Sequence, residues 1–179
     1  MKRQKLMFLG IAACLFVLTG CGAKSNIAVE QTPEKEITAE ADAEEQTNPY
    51  ITLEAGQDGN VLLNTDEITD VATFANYDAD GTTVQLLAVR DADDTVRIAF
   101  NTCQSCSPAP QAYFVQEEDS FVCQNCGNMF TTDQIGEERG GCNPMPVEEQ
   151  TETEDGIAIP ADYLEEYADA FSRWEGSTE

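Results

Sequence analysis

The chain predicts a mainly β fold of the α+β class, on three observations. Between residues 50 and 100, short runs of β-branched and aliphatic residues alternate with Asp/Gly turns. Two Cys-x-x-Cys motifs follow, joined by an aromatic stretch that reads as a hairpin. Near the C-terminus the apolar residues change to helical spacing. The expected architecture is an antiparallel β-meander carrying a double CxxC site and closed by a C-terminal amphipathic helix, in one domain over residues 49–175.

The N-terminus reads MKRQKLMFLGIAACLFVLTGCG. Lys2, Arg3 and Lys5 precede an apolar run, Leu6 to Leu18, that is too short to span a bilayer comfortably. Residues 1–20 are therefore expected to be a signal peptide. The ending LTGC resembles the bacterial lipobox, which makes Cys21 the lipidated first residue of the mature protein and discards Cys14 with the signal. From residue 21 to residue 48 the chain lacks aromatic residues and is rich in glutamate. Such a segment cannot bury enough apolar surface to fold, and it is expected to be a disordered tether with ends roughly 30 Å apart.

The domain is expected to open at Tyr50. ITLEA and NVLLN are two extended runs around the GQDG turn. Further on, TTVQLLAVR and TVRIAF lie between turn signals at Asp80-Gly81 and Asp91–Asp94, and the last of these strands delivers the chain to Cys103. Asn76, Asp78, Asp80 and Gly81 match the first half of a calcium-binding EF-hand loop. The position that needs a bidentate glutamate is Leu87, so a hairpin turn is expected instead. At the C-terminus Pro160 suits a first helical turn, Asp162, Glu165 and Glu166 favour its positive end, and Gly176 suits its stop. Tyr163, Tyr167, Ala170, Phe171 and Trp174 then share one face, which is expected to pack on the sheet rather than bind a ligand.

Composition excludes several functions. The formal net charge is −25 and there is no histidine. Serine–histidine and cysteine–histidine catalysis are ruled out, as is imidazole ligation of a metal. So acidic a chain repels nucleic acid phosphates. Signal removal takes three of the nine basic residues and none of the 34 acidic ones. The mature protein then stays off anionic lipid headgroups, and a lipid on Cys21, not the protein surface, holds it at the membrane.

The cysteines carry the chemistry. Cys103, Cys106, Cys123 and Cys126 form C-x2-C-x16-C-x2-C, and Cys142 stands alone in GGCNP. Each CxxC turn can aim two sulfurs at one point, and two such knuckles supply the four ligands of a tetrahedral thiolate site. Gly127 follows the second knuckle, where a positive φ is often needed, whereas the first runs into Ser107-Pro108. The strands Tyr113–Gln116 and Ser120–Cys123 place the knuckles side by side. This is a site of the zinc-ribbon or rubredoxin type. Disulfides are the competing reading for an exported chain, but a CxxC disulfide closes a very small loop and five cysteines leave one over. Four thiolates suit zinc, a mononuclear iron or an iron–sulfur cluster. Cys142 is a candidate fifth ligand, a cluster ligand or a free redox thiol.

NTCQSCSPAPQAYFVQ, FVCQNCGNMFTTDQIG and GGCNPMPV resemble the membrane iron–sulfur proteins of the FtrD-like family, over about Thr65 to Trp174. The resemblance implies that Cys103, Cys106, Cys123, Cys126 and Cys142 are the metal-site residues. It also implies a role in bacterial iron uptake, accepting electrons beside an iron permease. The chain is expected to carry a lipid anchor in place of permease-like helices, so a separate permease or other uptake component is the expected partner. Lys2-Arg3 is not a twin arginine, which points to export of an unfolded chain; a preassembled cluster cannot travel that way, whereas zinc or a single iron can be acquired outside. The expected protein is thus an extracytoplasmic, membrane-anchored metal-binding or electron-transfer protein rather than an ordinary enzyme. Two other readings are a binding module whose fold is held by zinc, and a thiol–disulfide oxidoreductase using CxxC and Cys142. The last lacks a strand-to-helix setting and has no basic neighbour but Arg139.

Overall fold

The structure is a computed structural model and describes residues 49–179. The expected signal peptide, Cys21 and the acidic tether lie outside the described residues.

Five strands make the central sheet: β1 (Tyr50–Leu53), β3 (Thr73–Ala79), β4 (Thr82–Arg90), β5 (Val96–Cys103) and β9 (Pro144–Pro146), in the order β1-β3-β4-β5-β9. β3, β4 and β5 form the expected antiparallel meander. The turn between β3 and β4 shows why Asp80-Gly81 is there. Both residues have positive φ, 51° and 88°, as a two-residue hairpin of the favoured twist demands. Asp78 accepts the Gly81 N–H at 2.6 Å, so the aspartates that mimic a calcium loop serve the turn.

β4 is apolar without a break from Leu86 to Val89 because both its faces are covered there. Leu86 and Ala88 join one core with Ile98 and Phe100, while Leu87 and Val89 join another with Ala99. The first core is roofed by the sheet of β2 (Asn60–Leu63), β10 (Thr151–Thr153) and β11 (Gly156–Pro160) and by the C-terminal helices. The second lies under a small antiparallel sheet of β6 (Phe114–Glu117), β7 (Ser120–Cys123) and β8 (Met129–Thr131), whose Phe114 and Phe121 point inward. This small sheet carries the second knuckle.

Two expectations are modified. The GQDG turn forms, but the strands it joins belong to different sheets. β1 runs parallel to β3, Tyr50 opposite Phe74, and β2 pairs with β11, Val61 opposite Ile159. The C-terminal helix is two short pieces, α1 (Ala161–Glu166) and α2 (Ala168–Phe171), separated at Tyr167 with φ −94° and ψ 0°. Pro160 is both the last residue of β11 and the N-cap of α1, so it does stand at the helix start, while helical structure stops before Gly176. Long-range contacts set that stop. Trp174 donates its indole N–H to the Asn101 carbonyl at 3.0 Å, and the Glu175 N–H bonds Pro110 at 2.8 Å. The apolar face nevertheless packs as expected: Tyr163 and Phe171 are buried, and Phe100 stacks on Tyr167 with ring centroids 4.2 Å apart.

Candidate metal centre

β5 ends on Cys103 and β7 ends on Cys123, so each knuckle grows from a strand end. The two turns are built alike. The Cys103 carbonyl accepts the Ser107 N–H at 2.9 Å, and the Cys123 carbonyl accepts the Gly127 N–H at 2.8 Å. Gly127 has φ 73°, the conformation its position called for, and a Cβ added there would meet open space, so conformation alone explains the glycine.

Side-chain amides fasten the second knuckle's sheet to the central sheet. Asn101, two residues before Cys103, is buried; its Oδ1 accepts the Phe114 N–H at 2.8 Å and its Nδ2 donates to Gln85 Oε1 at 2.6 Å. Phe114 is the register partner of Cys123. Gln116 adds a second clamp, accepting the Ala72 N–H at 2.6 Å and donating to the Asp70 carbonyl at 2.7 Å.

The outcome is convergence. The sulfurs of Cys103, Cys106, Cys123 and Cys126 all lie within 4.8 Å of one another. Ligands at about 2.3 Å on a tetrahedral ion stand about 3.8 Å apart, so the set needs to contract by no more than about 1 Å to close on one ion. Cys103 and Cys123 are fully buried, Cys106 is half-buried and Cys126 is exposed, which gives the set one wet edge.

The thiols do not share one environment. Burial drives Cys103 well above the ordinary thiol range, and burial pushes Cys123 up to about 11. At Cys126 burial also acts upward, but the Asn128 N–H and the thiols of Cys123, Cys106 and Cys142 outweigh it and the group is lowered. Two buried thiols held protonated beside two others form a crowded, proton-bearing cluster that a cation would discharge, because a coordinating thiol gives up its proton outright. The donor set fits a soft, thiolate-bound ion, with no nitrogen or carboxylate within it.

Cys142 lies beside the set. It is half-buried, its thiol interacts with that of Cys126, and its carbonyl receives the Cys103 sulfhydryl at 3.1 Å. The first knuckle holds this loop in place. Gln104 Oε1 accepts the Gly140 N–H at 2.8 Å, Gln104 Nε2 donates to the Pro144 carbonyl at 3.1 Å, and Ser105 Oγ donates to the Gly141 carbonyl at 2.5 Å. Gln104, Ser105, Asn101 and Gln116 support the site, and of these only the polar pair inside C-Q-S-C is marked in the sequence, by its place within a CxxC motif.

A model of the family described as "Membrane iron-sulfur containing protein FtrD-like" matches residues 48–171. The chain belongs to the FtrD-like family. The match spans the central sheet, both knuckles, Cys142 and the C-terminal helices, so the four converging sulfurs of this FtrD-like domain mark a metal or cluster site. No curated protein and no solved structure matches the chain. The family description indicates membrane association. No helix among the described residues is long and apolar enough to cross a membrane.

Proposed function

We propose that this FtrD-like protein is an extracytoplasmic lipoprotein, anchored through Cys21, that holds one metal ion on Cys103, Cys106, Cys123 and Cys126 and serves iron or other metal uptake as an electron-transfer accessory. The convergence of the four sulfurs within 4.8 Å carries the reading. So tight a set favours one ion shared by all four thiolates over a cluster in which each thiolate binds its own iron. An iron bound there would supply one-electron exchange.

The chain's own residues would do the rest. Cys103 and Cys123, at zero exposure, shut water out of the inner half of the site, while exposed Cys126 offers a partner the shortest way to the sulfur shell. The acidic chain disfavours adding an electron to the site and prefers the more positive state of an ion there. The 49–175 domain, lifted from the lipid by the acidic tether, would dock on a separate permease or other uptake component.

Zinc as a purely structural ion is the second reading, favoured by a ligand set that leaves no position for substrate. Elemental analysis and a visible spectrum of freshly isolated protein separate the two. The iron reading expects about one iron per chain and a visible absorption that bleaches with dithionite. Colourless protein with one zinc per chain would replace it with the structural module. Metal-free protein with every knuckle oxidised would overturn both.

A further inference from the structure

Cys142 has a use that the four-sulfur set does not require. It reaches the set from a different segment, with fifteen residues between it and Cys126. The loop that carries it is bonded to the first knuckle through Gln104 and Ser105, and Gln104 N–H also donates to the Asn143 carbonyl at 3.0 Å. The Cys142 carbonyl lies 3.1 Å from the Cys103 sulfur, which is itself within 4.8 Å of the Cys126 sulfur, so Cys142 neighbours both knuckles: Cys126 of the second, and Cys106 and Ser105 of the first. Cys126 is the most exposed of the five cysteines and Cys142 is half-buried, whereas Cys123 is fully buried behind them. A water-borne reagent therefore meets Cys126 first, with Cys142 next to it and outside the tight set. The turns on both sides have open space around them. Gly127, Gly140 and Gly141 all have positive φ, and no atom lies within 4 Å of where their Cβ atoms would be.

We propose that Cys126 and Cys142 are a disulfide-forming pair whose oxidation removes one ligand from the metal centre and loosens its hold on the ion. The proposal rests on the four-thiolate reading above. The oxidant is a small-molecule disulfide. The Cys126 sulfur attacks one of its sulfurs; the reagent's S–S bond breaks, a mixed disulfide forms and one thiol leaves. The Cys142 sulfur then attacks the Cys126 sulfur, the mixed disulfide breaks, the Cys126–Cys142 bond forms and a second thiol leaves. Two protein thiols are oxidised and one reagent disulfide is reduced. The Cys142 proton goes to one leaving thiolate; the other takes the Cys126 proton, or a solvent proton where Cys126 was already a thiolate on the ion. Three sulfurs remain for the ion, two of them buried, and water enters at the exposed edge that Cys126 has left.

The test treats the full-length, metal-loaded protein with glutathione disulfide and reads two quantities. The first is the cysteine map. Cleavage at Arg139 separates Cys142 from the four knuckle cysteines, so the expected product is a linked pair of peptides whose fragmentation places the bond at Cys126. The second is release of the ion to a chelator, expected to quicken at least about tenfold on oxidation in the wild type and much less in Cys142→Ser and Cys142→Ala. A Cys123–Cys126 or Cys106–Cys142 bond as the main product would overturn the pairing. Equal quickening in the wild type and both variants would overturn the release. Should the isolated protein carry no metal, the four-thiolate reading falls on that measurement alone, and the map on wild-type protein still decides the pairing.

Discussion

Replacing Asn101 with alanine tests whether buried amides, rather than the cysteines alone, hold the two knuckles together. The side chain makes two buried bonds, accepting from Phe114 N–H at 2.8 Å and donating to Gln85 Oε1 at 2.6 Å. Alanine leaves both partners without a mate. Gln85 has little freedom to turn, since its Nε2 is engaged by Asn76 Oδ1 at 2.7 Å and by the Ser177 carbonyl at 2.8 Å. Each orphaned buried group costs about 1–3 kcal/mol, and water entering the vacated space recovers part of it. The expected loss is about 2–4 kcal/mol. Urea unfolding followed by the fluorescence of Trp174, the only tryptophan, should show a lower midpoint with an unchanged slope. Because Phe114 stands opposite Cys123 and Asn101 is two residues from Cys103, transfer of the bound ion to a chelator should also speed up. Asn101→Ala and Gln85→Ala share one network, so the double variant should lose less than the sum of the single losses. A loss under about 1 kcal/mol for Asn101→Ala, or strict additivity with Gln85→Ala, would refute the reasoning.

Two further outcomes are expected. Gly136 has φ 77° and a Cβ there would lie 2.5 Å from the Ile98 carbonyl oxygen of β5; Gly136→Ala should cost at least about 2 kcal/mol in the same urea assay, against little for Gly127→Ala beyond its backbone strain. Tyr167 is pushed up to about 12, by burial first and then by its bond to the Tyr163 hydroxyl. The folded state thus favours the neutral phenol, and the stability this contributes is intact below about pH 10 and is lost as the pH rises toward about 12. Tyr167→Phe should flatten that alkaline loss, measured by urea unfolding across the window, whereas an unchanged profile would remove Tyr167 as its source.

Local features of this fold could be read directly from the residues. Asp80-Gly81 reads as a hairpin turn, and β3 and β4 meet there. The aromatic stretch between the CxxC motifs reads as a hairpin, and β6 and β7 form it, although Cys103 ends a strand of the central sheet and Cys123 one of the small sheet. The split helix was less legible. Tyr163 through Trp174 has sound helical spacing, and that spacing describes which residues face the core. It carries no information about where the Asn101 carbonyl lies, and that carbonyl, together with Pro110, draws the chain out of the helix after Phe171.

By itself, then, the amino-acid order determined the mainly β character, the meander, the two knuckles and the sulfur chemistry, since each depends on conformational preferences acting over a few residues. The partners of β1 and β2, the second use of Gln85, Asn101, Gln104 and Gln116 as clamps, and the seat of Cys142 beside Cys126 were decided only by the tertiary structure. Each joins groups far apart along the chain. An amide is a donor and an acceptor wherever it stands, and only the packed cores on both faces of the central sheet select which distant partner it meets.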